Sequence, residues 1–203
     1  MPSNTESSSV ADSFPLKGGA LGGAIAFVAG YVLTYLLVAV DSELEGTQED
    51  AAFELIGVIF YNAHFVDGVF VFASGTFLEG TRRFNVIAEE TTQFPEPVFY
   101  LVPVVILILT GYLVVSQALP GAAVDSSGSV STGERALAGS SVVVGYLPLA
   151  VAGTFLFETT SEIEILGETI RSTFGPDQLM AIVFVGLVFP VVLGAIGGVL
   201  ARR

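Results

Sequence analysis

The sequence predicts an all-α membrane protein: a four-transmembrane-helix bundle with a small external cap made of an amphipathic helix and a β-hairpin. Three observations lead there. Four runs of 22 or 23 residues (18–40, 97–119, 136–157 and 179–200) contain no Asp, Glu, Lys, Arg or His, and about 20 apolar residues cross the roughly 30 Å of hydrocarbon in a bilayer. Hydrophobic residues make up 52% of the 203-residue chain, with a mean hydropathy of +0.76, whereas a soluble domain hides its apolar residues in periodic stripes and needs no such runs. The net charge of −13 falls entirely on one side of the bundle when only those four runs span.

Residues 1–17 form a Ser-rich, polar leader, disordered by composition and placed in the cytoplasm. The first run follows a single cation, Lys17, and exceeds a signal-peptide core in length, so it stays as an anchor. Its first turns carry two overlapping GxxxG pairs, Gly18/Gly22 and Gly19/Gly23, which let helix backbones approach closely.

Residues 41–96 are assigned to the external cap. The stretch 52–74 competes as a fifth span, but it contains Glu54, His64 and Asp67, and an acid at mid-membrane costs roughly 2.5–3.5 kcal/mol. On a helical wheel Asp50, Glu54, Tyr61, His64 and Asp67 share one side, opposite Leu55, Ile59, Phe65, Val66 and Val69. That pattern predicts an amphipathic helix lying on or above the bilayer. Residues 69–90 then read as two strands around a Gly-bearing turn.

The second span, 97–119, contains Pro103; a cytoplasmic linker, 120–135, is rich in Gly and Ser. The third span, 136–157, has Pro148 and the small residues Ser140, Ser141 and Gly145, and an acidic external loop, 158–178, follows. The fourth span, 179–200, carries Pro190 and the pair Gly194/Gly198. The chain thus divides into halves 18–119 and 136–203, each a span, an acidic excursion and a returning span that follows a proline. With both termini on one side, that side holds four acids and four bases, and the other holds sixteen acids and three bases. Cation counting alone does not orient the bundle. The closing Arg202-Arg203 pair favours cytoplasmic termini at the cell membrane.

The chemistry-bearing residues are few. His64 is the only histidine and the chain has no cysteine, which removes disulfides and thiolate metal ligands. His64 and Asp67, spaced i, i+3, predict a hydrogen-bonded pair; Glu54 is ten residues away, roughly 15 Å along a helix, too far to complete a metal site. Tyr61, Asn62, His64 and Asp67 are therefore structural or interaction candidates, the glycine pairs packing elements, and Pro103, Pro148 and Pro190 span kinks. Tyr31, Tyr112 and Tyr146, each after a glycine, offer hydroxyls to neighbouring helices. No nucleophile elbow, phosphate loop or dinucleotide fingerprint is present, so no catalytic residue, cofactor or metal is expected and the chain is read as no enzyme. Seven bases against twenty acids argue against a nucleic-acid partner. The acidity suits molar salt, where the Debye length falls to about 3 Å and carboxylates repel one another weakly.

The segments SFPLKGGALGGAIAFVAGYVLTYLL, GVIFYNAHFV, GYLPLAVAG and GLVFPVVLGAIGGVLA resemble a small family of haloarchaeal multi-pass membrane proteins, uncharacterised and with members sometimes labelled transporters. The YNAH core at Tyr61–His64 is the most distinctive element of the likeness. The resemblance implies a halophilic archaeal membrane origin and carries over no catalytic residue. The functional expectation is an accessory, interaction or envelope-stabilising protein that meets membrane lipid along its spans and a protein partner through its cap. A small homo-oligomeric transporter or channel is the alternative.

Overall fold

A computed structural model of the chain describes residues 15–41, 52–74, 78–90, 92–118, 131–165 and 168–201. The leader 1–14, most of the linker, Asp50 and the Arg202-Arg203 pair lie outside the described residues. Four helices are long and apolar enough to cross a membrane. The first is α1 (Leu16–Ala39), and the second is α4 (Glu96–Ala118). The third is broken into α5 (Thr132–Ser140) and α6 (Val143–Leu156). The fourth runs through α7 (Gln178–Met180), a π-helical stretch (Ala181–Val188) and α8 (Phe189–Leu200). The third helix starts earlier than its apolar run because Ser131 and Glu134 cap each other's backbone amides reciprocally, which fixes the first turn at Thr132.

Small residues turn inward and large ones outward. The buried stripe of α1 is Gly19, Gly23, Ala26, Phe27, Gly30, Thr34 and Val38, while Leu21, Ile25, Val28, Val32 and Leu36 are exposed. In water that arrangement would forfeit hydrophobic burial; in hydrocarbon it is neutral, and association comes from close backbone contact. The predicted glycine pairs make those contacts within one chain. A Cβ on Gly19 would overlap Ser141, and one on Gly23 would overlap the Val142 carbonyl. Gly145 rests in the same way on the Ala20 carbonyl. Gly194 abuts Gly139, and Gly198 abuts the Arg135 carbonyl. Gly22 faces Thr110 and Val114 of α4, with Gly18 looser beside Val114. The long helices meet in the cyclic order α1, α4, α8, α5/α6, with α4 and α5 also touching across the diagonal.

The proline positions differ in effect. Pro103 and Pro148 lie inside α4 and α6. Pro190 opens α8 directly after the π-helical stretch, where the Phe189 N–H donates five residues back to the Phe184 carbonyl. Pro190 has no N–H to continue an α-helical ladder, so the register changes beside it.

The all-α expectation needs correction, because a four-stranded antiparallel sheet stands at one end of the bundle. It contains β1 (Gly68–Ser74), β2 (Leu78–Phe84), β3 (Thr159–Ile165) and β4 (Glu168–Pro176), in the order β2-β1-β4-β3. The hairpin expected in 69–90 is β1-β2, but 158–178 forms a second hairpin and not a loop. Its strand TTSEIEI has the period-2 alternation of a half-buried strand, which the density of acids obscured. β1 pairs β4 from Gly68↔Pro176 to Ser74↔Ile170, joining the two halves of the chain. The central strands β1 and β4 come from non-corresponding places in the two halves, so the sheet does not repeat the symmetry of the bundle plan.

Candidate functional site at the sheet end of the bundle

Helix α2 (Ala52–Asn62) enters the bundle from the sheet end, so that Phe60, Tyr61 and His64 meet Phe27, Ala150, Tyr146 and Phe189, near the middle of the long helices. Its predicted solvated face is buried, which corrects the placement of this helix above the bundle. Tyr61, Asn62 and His64 are all 0% exposed. One face enters the bundle: Gly57 packs on Phe157, Phe60 meets Phe27 edge-on at 5.2 Å, and Tyr61 reaches into the space left by Gly153. The other face, Ile56, Ile59 and Ala63, packs on Val38, Phe99 and the short helix α3 (Val86–Glu89). A helical wheel cannot distinguish a polar stripe that meets water from one whose polar atoms meet carbonyls and hydroxyls of neighbouring helices.

Every polar atom of the YNAH core has such a partner. The Tyr61 hydroxyl donates to the Ala150 carbonyl at 2.5 Å. Asn62 Nδ2 donates to the Val66 carbonyl at 2.8 Å, and its Oδ1 accepts the Val86 N–H at 2.9 Å, tying α2 to α3. His64 Nδ1 lies 2.8 Å from the Phe60 carbonyl and Nε2 lies 2.9 Å from the Tyr146 hydroxyl. A carbonyl only accepts, so Nδ1 carries the hydrogen and Nε2 accepts from Tyr146. His64 is neutral in this arrangement; burial pushes its pKa from 6.5 down to about 4, partly opposed by the Phe60 carbonyl. Burial also pushes the Tyr61 hydroxyl well above its ordinary value.

The expected His64–Asp67 pair does not form, since both ring nitrogens are taken by Phe60 and Tyr146. The reason lies in the turn that follows. The Val66 N–H donates to the Tyr61 carbonyl and the Phe65 N–H to the Asn62 carbonyl, a Schellman ending with Phe65 at φ 60 where glycine is usual. This reversal ends the helix before Asp67, so helical i, i+3 geometry never reaches it. Asp67 instead accepts the Asp177 N–H through its backbone carbonyl at 3.0 Å. The Phe65 ring, 64% exposed, stacks on Tyr100 at 4.8 Å.

Two further contacts lock the mouth, and no sequence pattern marked them. Buried Asp177 pairs with Arg83 of β2 at 2.5 Å and caps α7 by accepting the Met180 N–H at 3.0 Å. Asp41, also buried, accepts the Gln93 N–H on both carboxylate oxygens at 2.9 and 3.0 Å. Among the described residues no three imidazole or carboxylate side chains converge as a metal site.

Above the mouth the sheet has two unlike faces. Register places Phe70, Phe72, Phe174, Ile163 and Ile170 on one face, interrupted by Arg82, Ser161 and Ser172, and Thr81, Glu79, Arg171, Glu162 and Glu164 on the other with Val69 and Val71. The apolar face is covered near the bundle, where Phe84 stacks on Phe174 and Gly68 meets Val58. It is open at Ile163 near its far end, 55% exposed, and in part at Phe70, 36% exposed beside Phe174.

The chain belongs to a family described as a family of unknown function (DUF7978), which matches residues 1–203. No curated protein and no solved structure matches it significantly.

Proposed function

We propose that the protein is a membrane-anchored interaction protein whose sheet, held rigidly over the bundle mouth, docks a protein partner on its apolar face. The observation that carries this reading is the apolar diagonal Phe70, Phe72, Ile170 and Ile163 on that face, exposed at its two ends, Phe70 and Ile163, and covered by no other element among the described residues. An exposed apolar patch with polar surroundings marks an interaction site more often than an unused surface. The packed mouth beneath it supports a scaffold role, because each polar atom of Tyr61, Asn62 and His64 is satisfied inside the protein.

In this reading the termini face the cytoplasm, the sheet faces outside, and the acidic surface suits a haloarchaeal, high-salt setting. The test is photo-crosslinking from position 163, compared with the same probe in a chain that also carries Phe70→Glu. A discrete partner captured by the first and lost in the second supports docking. Equal capture by both would end the proposal. Topology is read separately: the chain has no cysteine, so a single Glu162→Cys should react with an impermeant maleimide on intact cells.

The transporter alternative rests on one observation, the eight-residue π-helical stretch before Pro190, since π segments often sit at functional positions. Its buried residues, Ala181, Val185 and Gly186, are apolar and provide no coordinating group.

A further inference from the structure

At the end of the bundle opposite the sheet, an open groove of about 650 Å³ runs along the seam between α1 and α4. Its wall is made of Leu21, Ile25, Leu113 and Val114, narrowed at Gly22 and with Lys17 and Gln117 at its mouth. We infer that this groove is a binding site for one anionic lipid, an acyl chain lying between α1 and α4 and the headgroup phosphate meeting Lys17. Three features carry it. The groove opens sideways between two helices whose outward residues are apolar, as on the lipid-facing side of a membrane bundle. Its size falls within the roughly 300–1,000 Å³ of small-molecule clefts, room for an acyl chain but not for a whole lipid.

Polarity is also graded along the helices. Leu21, Ile25 and Leu113 lie toward mid-helix, while Lys17, in the first turn of α1, and Gln117, in the last turn of α4, share the end where headgroups sit. Lys17 is exposed and is the one lysine of a chain with net charge −13. A cation at this level, its stem along the groove and its ammonium at the headgroup plane, attracts phosphate through charge and hydrogen bonds. Gly22 forms the floor where α1 and α4 touch, since a Cβ there would already stand 3.0 Å from Val114 and 3.1 Å from Thr110.

The test is native mass spectrometry of the full-length chain, delipidated in detergent and titrated with phosphatidylglycerol or phosphatidylcholine of the same chains. One phosphatidylglycerol should bind about fivefold more tightly than phosphatidylcholine, the factor expected of roughly 1 kcal/mol for one lysine at the surface. Lys17→Gln should abolish that preference, and Leu113→Trp, which fills the groove from an exposed position, should weaken both lipids. Lys17 is exposed, so its loss leaves the fold intact and the preference remains measurable. Equal binding of the two lipids by the unaltered chain would overturn the inference. So would a preference indifferent to Lys17→Gln, or lipid binding that appears only after removal of residues 1–13. A dimer that Leu113→Trp dissociates would overturn it too, assigning the groove to a second copy.

Discussion

Acidification should loosen the mouth of the bundle through one residue. His64 is fully buried and neutral, donating from Nδ1 to the Phe60 carbonyl and accepting at Nε2 from the Tyr146 hydroxyl. With α2 withdrawn from the bundle its pKa returns to about 6.5, against about 4 when packed. The withdrawn state therefore binds the proton more readily. The stability that His64 contributes is complete above pH 6.5, falls as pH drops toward 4, and changes no further below that. The full difference is on the order of 3 kcal/mol, at about 1.4 kcal/mol per unit. Because His64 is the only histidine, histidine-labelled NMR of the tag-free protein gives a single ring to follow. Its nitrogen shifts should report the Nδ1–H tautomer at pH 7 and a titration midpoint far below 6. Hydrogen exchange of residues 56–64, compared with His64→Gln at each pH, should show protection lost between pH 6.5 and 4 in the native chain alone. A midpoint near 6.5, or identical pH profiles for the two chains, would refute the buried neutral pin.

Other changes isolate single contacts. Asn62→Ala strands the Val86 N–H and the Val66 carbonyl; it should cost about 1–3 kcal/mol and raise hydrogen exchange in α3 ahead of the long helices. Phe65→Gly should be more stable than Phe65→Ala by about 1 kcal/mol in chemical denaturation, since an L-residue at φ 60 carries a penalty of that order; equality would mean that the turn relaxes. Gly145→Leu drives a side chain into the Ala20 carbonyl, so it should cost at least about 3 kcal/mol and broaden the thermal transition of the bundle. Leu21→Ala, on the exposed face of the neighbouring helix α1, should leave that transition within about 0.5 kcal/mol.

What the sequence made legible, and what it hid, follows from the range of each interaction. The long helices were visible because exclusion of charge over 22 residues is a property of a contiguous stretch, and the largest shift of an end is where a local device intervened, the Ser131–Glu134 cap. The GxxxG pairs were visible for the same reason, although which helix each one meets is a matter of three dimensions. His64 was conspicuous, but its partner Tyr146 lies 82 residues away, and no spacing rule reaches that far.

The misplacement of α2 is the more instructive case. Its wheel was correct as a distribution of residue types, and the inference from polar to solvated failed because Tyr, Asn and His need hydrogen bonds and not water. Charged residues separate the two possibilities. Glu54, the one carboxylate within α2, is not among the buried residues, whereas Tyr61, Asn62 and His64, which can be neutral and satisfied by carbonyls, are buried completely. A stripe that divides in this way, carboxylate at one end and neutral donors at the other, reads more accurately as a helix entering a protein interior than as one resting on a surface.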